Sequence, residues 1–113
     1  MLVIGSSVGE SSEELSGYVQ GLLDRAGDVG KTATFEIVDD YVGLGYGKTT
    51  DEELQVQIEA TRLTGLIWDP TYTGKALFGL KQEIISGRFT GTDRVVFWHT
   101  GGGFAAFAHT FPL

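Results

Sequence analysis

The stretch "GLIWDPTYTGKALFGL", residues 65–80, decides the fold of this chain. Its apolar run "LIW" is typical of a brief strand and stops at Asp69 and a proline. Apolar side chains then recur at helical spacing and predict a helix over residues 74–86. In α/β proteins, ligands bind where a strand gives way to a helix. The polar side chains of this turn are therefore either parts of a site or elements of a plain turn.

Strands and helices also alternate on both sides of this stretch, which predicts one α/β domain over residues 1–113. The expected architecture is three-layer, with a mostly parallel sheet flanked by helices. The run "RVVFWH" at 94–99 has no polar alternation, as in strands covered on both faces. Two further strands are predicted, at 2–5 and 34–38. Two further helices begin at capping boxes. The first runs from the box of Ser11 and Glu14 to Gly27, and the second runs from the box of Thr50 and Glu53 to about Leu63, where Gly65 stops it.

Composition excludes several classes of function. The 113 residues are 42% hydrophobic and 20% charged, which is typical of a globular domain. The net charge of −7 argues against a nucleic-acid partner. No apolar run approaches the roughly 20 residues of a membrane helix, and the N-terminus lacks the basic region of a signal peptide. Cysteine is absent, so thiol and disulfide chemistry are excluded. We expect a cytoplasmic protein without a membrane partner.

The loop "GYGKTT" at 45–50 imitates a phosphate-binding P-loop but departs from it. A P-loop needs a glycine five residues before its Gly-Lys pair, and Val42 stands there. We therefore expect no nucleotide at this loop. Histidine, aspartate and glutamate also lack the spacing of a metal site, so no metal is expected.

The turn after "LIW" offers a phenol at Tyr72, a hydroxyl at Thr73 and an amine at Lys75. These groups could supply acid–base chemistry, a neutral hydrogen bond and an anion or Schiff-base partner. The alternative is that Thr73 caps the helix, Lys75 is solvated and Tyr72 packs against the sheet. We interpret His99 as a core histidine with satisfied hydrogen bonds rather than as a catalytic residue. His109, near the chain end, is a weak candidate for any role.

Three motifs taken together resemble one family. "VDDYVGLGYGKTT" (38–50), "GLIWDPTYTGKALFGL" (65–80) followed by "GRF", and "VVFWHTGG" (95–102) occur in this order near the end of D-cysteine desulfhydrase and of 1-aminocyclopropane-1-carboxylate (ACC) deaminase. Both are pyridoxal-phosphate (PLP) enzymes of the tryptophan-synthase β-subunit type. The resemblance implies part of the large domain of PLP fold type II, and an amino-acid-like substrate for the complete enzyme.

The resemblance also implies residue roles. Tyr72 and Tyr46 match active-site tyrosines of the family. Thr73 and Thr100 match positions near the cofactor ring nitrogen, and Gly101 and Gly102 follow as cofactor-binding residues. Threonine at 73 and 100 resembles the desulfhydrase branch, because the deaminases carry glutamate and leucine there.

The Schiff-base lysine and the phosphate loop of the family have no match in this chain, and Lys48 and Lys75 do not correspond to that lysine. We therefore expect the C-terminal portion of a PLP-dependent lyase, inactive and without retained PLP on its own. The alternative is a free-standing, non-catalytic α/β module that binds a small anion or a partner chain. The unalternating run at 94–99 and the phenylalanines of the tail (Phe104, Phe107 and Phe111) further predict a homo-oligomer.

Overall fold

The computed structural model describes residues 1–27, 30, 33–91 and 93–108. His109 and Phe111 lie outside these residues. None of the helices in the described ranges is long and apolar enough to cross a bilayer. The elements are, in chain order, β1 (Leu2–Ser6), α1 (Ser12–Ala26), β2 (Thr34–Val38), α2 (Asp51–Thr64), α3 (Thr73–Ile85) and the 3₁₀ helix η1 (Gly103–Ala108).

The first half of the chain is a β–α–β unit. β1 and β2 pair in parallel, with Leu2 opposite Thr34 and Ser6 opposite Val38. α1 connects them and begins at the predicted capping box, in which the Ser11 hydroxyl accepts from Glu14 N. The predicted α/β class and its parallel pairing are therefore confirmed for these strands, while the three-layer arrangement stays a prediction.

The second half places two helices beside this unit. α2 begins at the predicted capping box of Thr50 and Glu53, and it ends at Gly65, whose φ of 73° is left-handed. α3 packs against α2 and β1. The predicted helices after both capping boxes and after the Asp-Pro turn are thus confirmed, with small shifts at their ends.

A charged network fastens the end of α3 to the sheet. The Arg88 guanidinium donates to Glu83 and to Glu36 of β2, each at 2.7 Å. Tyr41 donates to the other oxygen of Glu83 at 2.6 Å. The hydrogen bond from Tyr41, together with Arg88, lowers the pKa of Glu83. This network positions α3, and with it the turn that precedes the helix.

Two predicted strands are wrong. Residues 66–68 and 94–99 form no strand. Their side chains do touch, since the rings of Trp68 and Phe97 lie 5.3 Å apart. Val96 is 85% exposed, so the cover that an unalternating apolar run requires is absent within the described chain. A strand forms only where a neighbour accepts its backbone hydrogen bonds, and none of the described segments does so here.

The interior is more polar than the helical spacing predicts. Val38, Trp68, Pro70 and Ala106 are the buried apolar side chains of the described residues. The apolar side chains of α1, α2 and α3 are half-buried or exposed, and Phe104 and Phe107 of the tail are exposed. Buried polar side chains take their place: Ser7, Glu53, Gln57, Asp69, Thr73 and Lys75.

Candidate functional site

Three loops meet beside the start of α3. We call them the GYG loop (residues 42–49), the DPTY turn (69–72) and the HTGG loop (99–102). The GYG loop follows β2, so it lies at the carboxyl end of a parallel strand, where α/β proteins bind ligands. Thr49 Oγ1 donates to the carbonyl of Pro70 at 3.2 Å and joins the first two loops.

Asp69 organises the DPTY turn and is completely buried. One carboxylate oxygen accepts from Thr71 N at 2.9 Å and Tyr72 N at 2.7 Å. The other accepts from the amide and the hydroxyl of Thr73, both at 2.7 Å. Burial alone would raise the pKa of Asp69, but these hydrogen bonds outweigh it and lower the pKa. The ionised carboxylate therefore caps α3 and sets the direction of Tyr72.

Tyr46 and Tyr72 meet across the GYG loop and the DPTY turn. Their hydroxyl oxygens are 2.5 Å apart, and the rings pack edge to face with centroids 5.9 Å apart. Both rings remain accessible, with Tyr46 63% and Tyr72 48% exposed. The hydrogen bond to Tyr46 raises the pKa of Tyr72. A phenol is already protonated at neutral pH, and the raised pKa keeps Tyr72 protonated to higher pH. Tyr72 can therefore donate a proton, although it is a weaker acid than a free phenol.

The HTGG loop passes directly over Asp69. A Cβ at Gly102 would lie 2.9 Å from the Asp69 carboxyl carbon, and Gly102 has a φ of +81°. His99 anchors the loop, because its Nε2 lies 3.0 Å from the Ile67 carbonyl and its Nδ1 accepts from Gly101 N at 3.2 Å. Both ring nitrogens are thus bonded, as expected, but His99 is half-buried and does not lie in the core. Thr100, which lies between His99 and Gly101 in the loop, is exposed.

Lys75 lies beneath the GYG loop and is completely buried. Its ammonium donates to the carbonyls of Val42 at 2.5 Å and Gly45 at 2.8 Å. The interpretation of Lys75 as a solvated surface lysine is therefore wrong. Its amine is engaged by these two backbone carbonyls.

The structure thus brings several predicted site residues together. Tyr46 and Tyr72 touch, Thr73 lies against Asp69, and Gly102 closes over the same carboxylate. Tyr72 does not pack against the sheet, contrary to the alternative interpretation. The Thr73 hydroxyl is buried, donates to Asp69 Oδ1 and accepts from Asp69 N at 3.0 Å, so it is already engaged within the turn.

Sequence analysis missed two contributors to this region. Asp69 is one, and its signal is that an aspartate in a turn commonly accepts a hydrogen bond from the backbone amide two residues on, here that of Thr71. The loop after β1 also reaches the site, since a Cβ at Gly9 would lie 3.8 Å from Tyr46 Cβ. The Ser7 hydroxyl holds this loop by donating to the Glu10 carbonyl at 2.6 Å. Its signal was the glycine and serine run at the end of β1.

A cavity lies away from these loops. It has a volume of about 500 Å³, contains neither tyrosine, and lies between α2, residues 67–68 and η1. The side-chain amide of Gln57 and the indole nitrogen of Trp68 border it, and both are buried without a hydrogen-bond partner among the described residues. Within those same residues, no histidine or carboxylate cluster could hold a metal ion.

Comparison with known proteins shows a likeness to a solved structure. No protein-family model matches the chain. The chain is similar to a solved structure described as a crystal structure analysis of the ACC deaminase homologue, with a TM-score of 0.62 and 28% sequence identity. The match covers 77% of this chain and 27% of that one, so this chain spans about a quarter of the length of the structure it matches. The likeness supports a relation to the PLP enzyme family.

The described residues fit one part of PLP better than another. The exposed phenol rings and the exposed Thr100 suit an aromatic ring and its nitrogen. Gly101 has open space where a side chain would stand, whereas the space beside Gly102 is taken by Asp69. The Thr73 hydroxyl is already engaged. Lys75 is bound to carbonyls and does not offer its charge to a phosphate, so the fit is to the ring side of the cofactor.

Proposed function

We propose that this chain forms the tyrosine side of the active site of a PLP-dependent lyase that eliminates sulfide from D-cysteine. The observation that carries the proposal is the meeting of Tyr46 and Tyr72, from separate loops, at a hydroxyl distance of 2.5 Å. The likeness to the ACC deaminase homologue supports it. Other polypeptide segments would supply the Schiff-base lysine and the phosphate loop.

The geometry supports the following roles. When bound, PLP supplies the electron sink that lets a proton leave the α-carbon of an amino acid. Thr100 would hold the ring nitrogen with a neutral hydrogen bond, since the Thr73 hydroxyl is committed to Asp69. Tyr72, held protonated by Tyr46, would donate a proton to the sulfur that leaves the substrate. Asp69 would keep Tyr72 in place through the backbone of the DPTY turn.

The exposed apolar side chains support a covering chain over this segment. Val96, Trp98 and Phe104 are all exposed although they are large and apolar. Surfaces of this kind are usually covered by another chain or domain. In the proposed enzyme the cover would come from the rest of the large domain, and in an oligomer from a second copy.

Exchange of the matching segment of the ACC deaminase homologue for this chain tests the function. We expect the chimaera to release sulfide from D-cysteine when PLP is present. In the chimaera, Tyr72→Phe should lower kcat by about a hundredfold, because loss of a general acid typically costs that much. The matched control is Tyr18→Phe on α1, an exposed tyrosine outside the site, which should leave kcat within about twofold.

Two results would contradict the proposal. One is a folded, PLP-binding chimaera in which Tyr72→Phe and Tyr18→Phe behave alike. The other is sulfide release by the 113-residue chain alone that survives both Lys48→Ala and Lys75→Ala. Borohydride reduction with PLP then reports whether any lysine of this chain forms the covalent link.

A further inference from the structure

A buried lysine holds the GYG loop. The loop carries glycines at 43, 45 and 47 with φ of 62°, 100° and 70°, a conformation that side chains rarely adopt. These left-handed turns direct the carbonyls of Val42 and Gly45 inward, where they meet the ammonium of Lys75. The lysine comes from α3, 30 residues or more along the chain from either carbonyl.

The two carbonyls are shared between the loop and the lysine. The Val42 carbonyl also accepts from Gly45 N, and the Gly45 carbonyl also accepts from Lys48 N, each at 3.2 Å. A carbonyl oxygen has two lone pairs, so each is fully used only when Lys75 is present. The ion pairs of the described residues involve Lys81 and Arg88, so the contacts of Lys75 are to backbone oxygen rather than to a carboxylate.

We propose that Lys75 is a positioning residue that clamps the GYG loop onto α3 and thereby places Tyr46 against Tyr72. The other described links between the loop and the DPTY turn are neutral hydrogen bonds near the surface, from Thr49 and between the two phenols. Hydrogen bonds from a charged donor are about twice as strong as neutral ones. The clamp does not depend on the proposed lyase function, since it acts without cofactor or substrate.

Trypsin cleavage after the exposed Lys48, in the intact chain without cofactor, tests the clamp. Lys75→Ala should raise the rate of cleavage at Lys48 by about tenfold or more, because the loop opens locally more often. Cleavage after Arg62, exposed on α2, should stay within about twofold and serves as the internal control. Propylammonium has the missing atoms of the lysine side chain, so it should restore slow cleavage at Lys48, whereas 1-propanol should not.

A second variant keeps the test decisive if Lys75→Ala fails to fold. Lys75→Met retains an aliphatic side chain without the charge and should show the same selective cleavage.

Ultraviolet titration of tyrosine gives an independent measurement. Lys75→Met should let Tyr72 titrate nearer its ordinary value, and Tyr46→Phe should do the same with the loop intact. Equal acceleration at Lys48 and Arg62 in both variants, or no acceleration at Lys48, would overturn the proposal.

Discussion

Replacement of Asp69 by alanine is expected to lower the free energy of unfolding by about 4 kcal/mol. The carboxylate accepts hydrogen bonds from three backbone amides and the Thr73 hydroxyl, and it is completely buried. Alanine leaves these donors without acceptors at the start of α3. Urea denaturation followed by circular dichroism measures the loss. Asp69→Asn keeps one acceptor oxygen and should lose about half as much.

The pH dependence separates charge from shape at Asp69. Its pKa is lowered in the folded protein, so the carboxylate stabilises the fold above its unfolded pKa, and this contribution disappears as the pH falls through the folded pKa. The difference between wild type and Asp69→Asn should therefore be constant near neutrality and shrink below about pH 4. Asp40→Asn, at an exposed carboxylate, is the matched control. A wild-type urea midpoint for Asp69→Ala would show that the turn does not depend on the carboxylate.

Gly74→Ala is expected to destabilise the fold by about 3 kcal/mol. A Cβ at this position would lie 2.5 Å from the Asp69 carbonyl oxygen and against the Gln57 amide. That carbonyl cannot retreat without breaking its 2.8 Å hydrogen bond from Gly74 N. Thermal or urea denaturation measures the effect. Gly17→Ala, at an exposed position of α1 with open space around it, should instead stabilise by about 0.5–1 kcal/mol.

A double variant identifies which neighbour of Gly74 causes the damage. Gln57→Ala on the Gly74→Ala background removes the side-chain clash but leaves the backbone clash with Asp69. We expect recovery of only part of the lost stability. Complete recovery would contradict the assignment of the backbone carbonyl as the main obstacle.

Local signals sufficed for the helices. The Ser11–Glu14 and Thr50–Glu53 boxes lie within four residues of the helix starts they define, and Gly65 ends α2 with a left-handed φ. Such contacts form inside one short segment, so all of the interacting residues can be identified from the local sequence. The strand at 94–99 failed for the opposite reason. Its apolar run signals a need for cover and pairing, but a sequence does not say which chain provides them.

The site was predictable in part. The motif resemblance indicated Tyr46 and Tyr72, and the structure brings them together, whereas their catalytic roles stay predictions. Neither the burial of Lys75 nor the four hydrogen bonds to Asp69 could be read from spacing. Charged residues are normally exposed. Here they are buried because backbone carbonyls and amides of folded loops point at them. That arrangement depends on long-range packing, which the local sequence does not show.

The polar interior described above has a thermodynamic consequence. The largest fully buried side chains are Lys75, Glu53, Asp69, Pro70 and Ser7, whereas most large apolar side chains already touch water. Exposing apolar surface raises heat capacity, and exposing polar surface lowers it. Unfolding of this chain should therefore change heat capacity by less than the ~12–15 cal/mol/K per residue of ordinary domains. Its stability curve is accordingly expected to be flat with temperature, and assembly with a covering chain would restore the usual curvature.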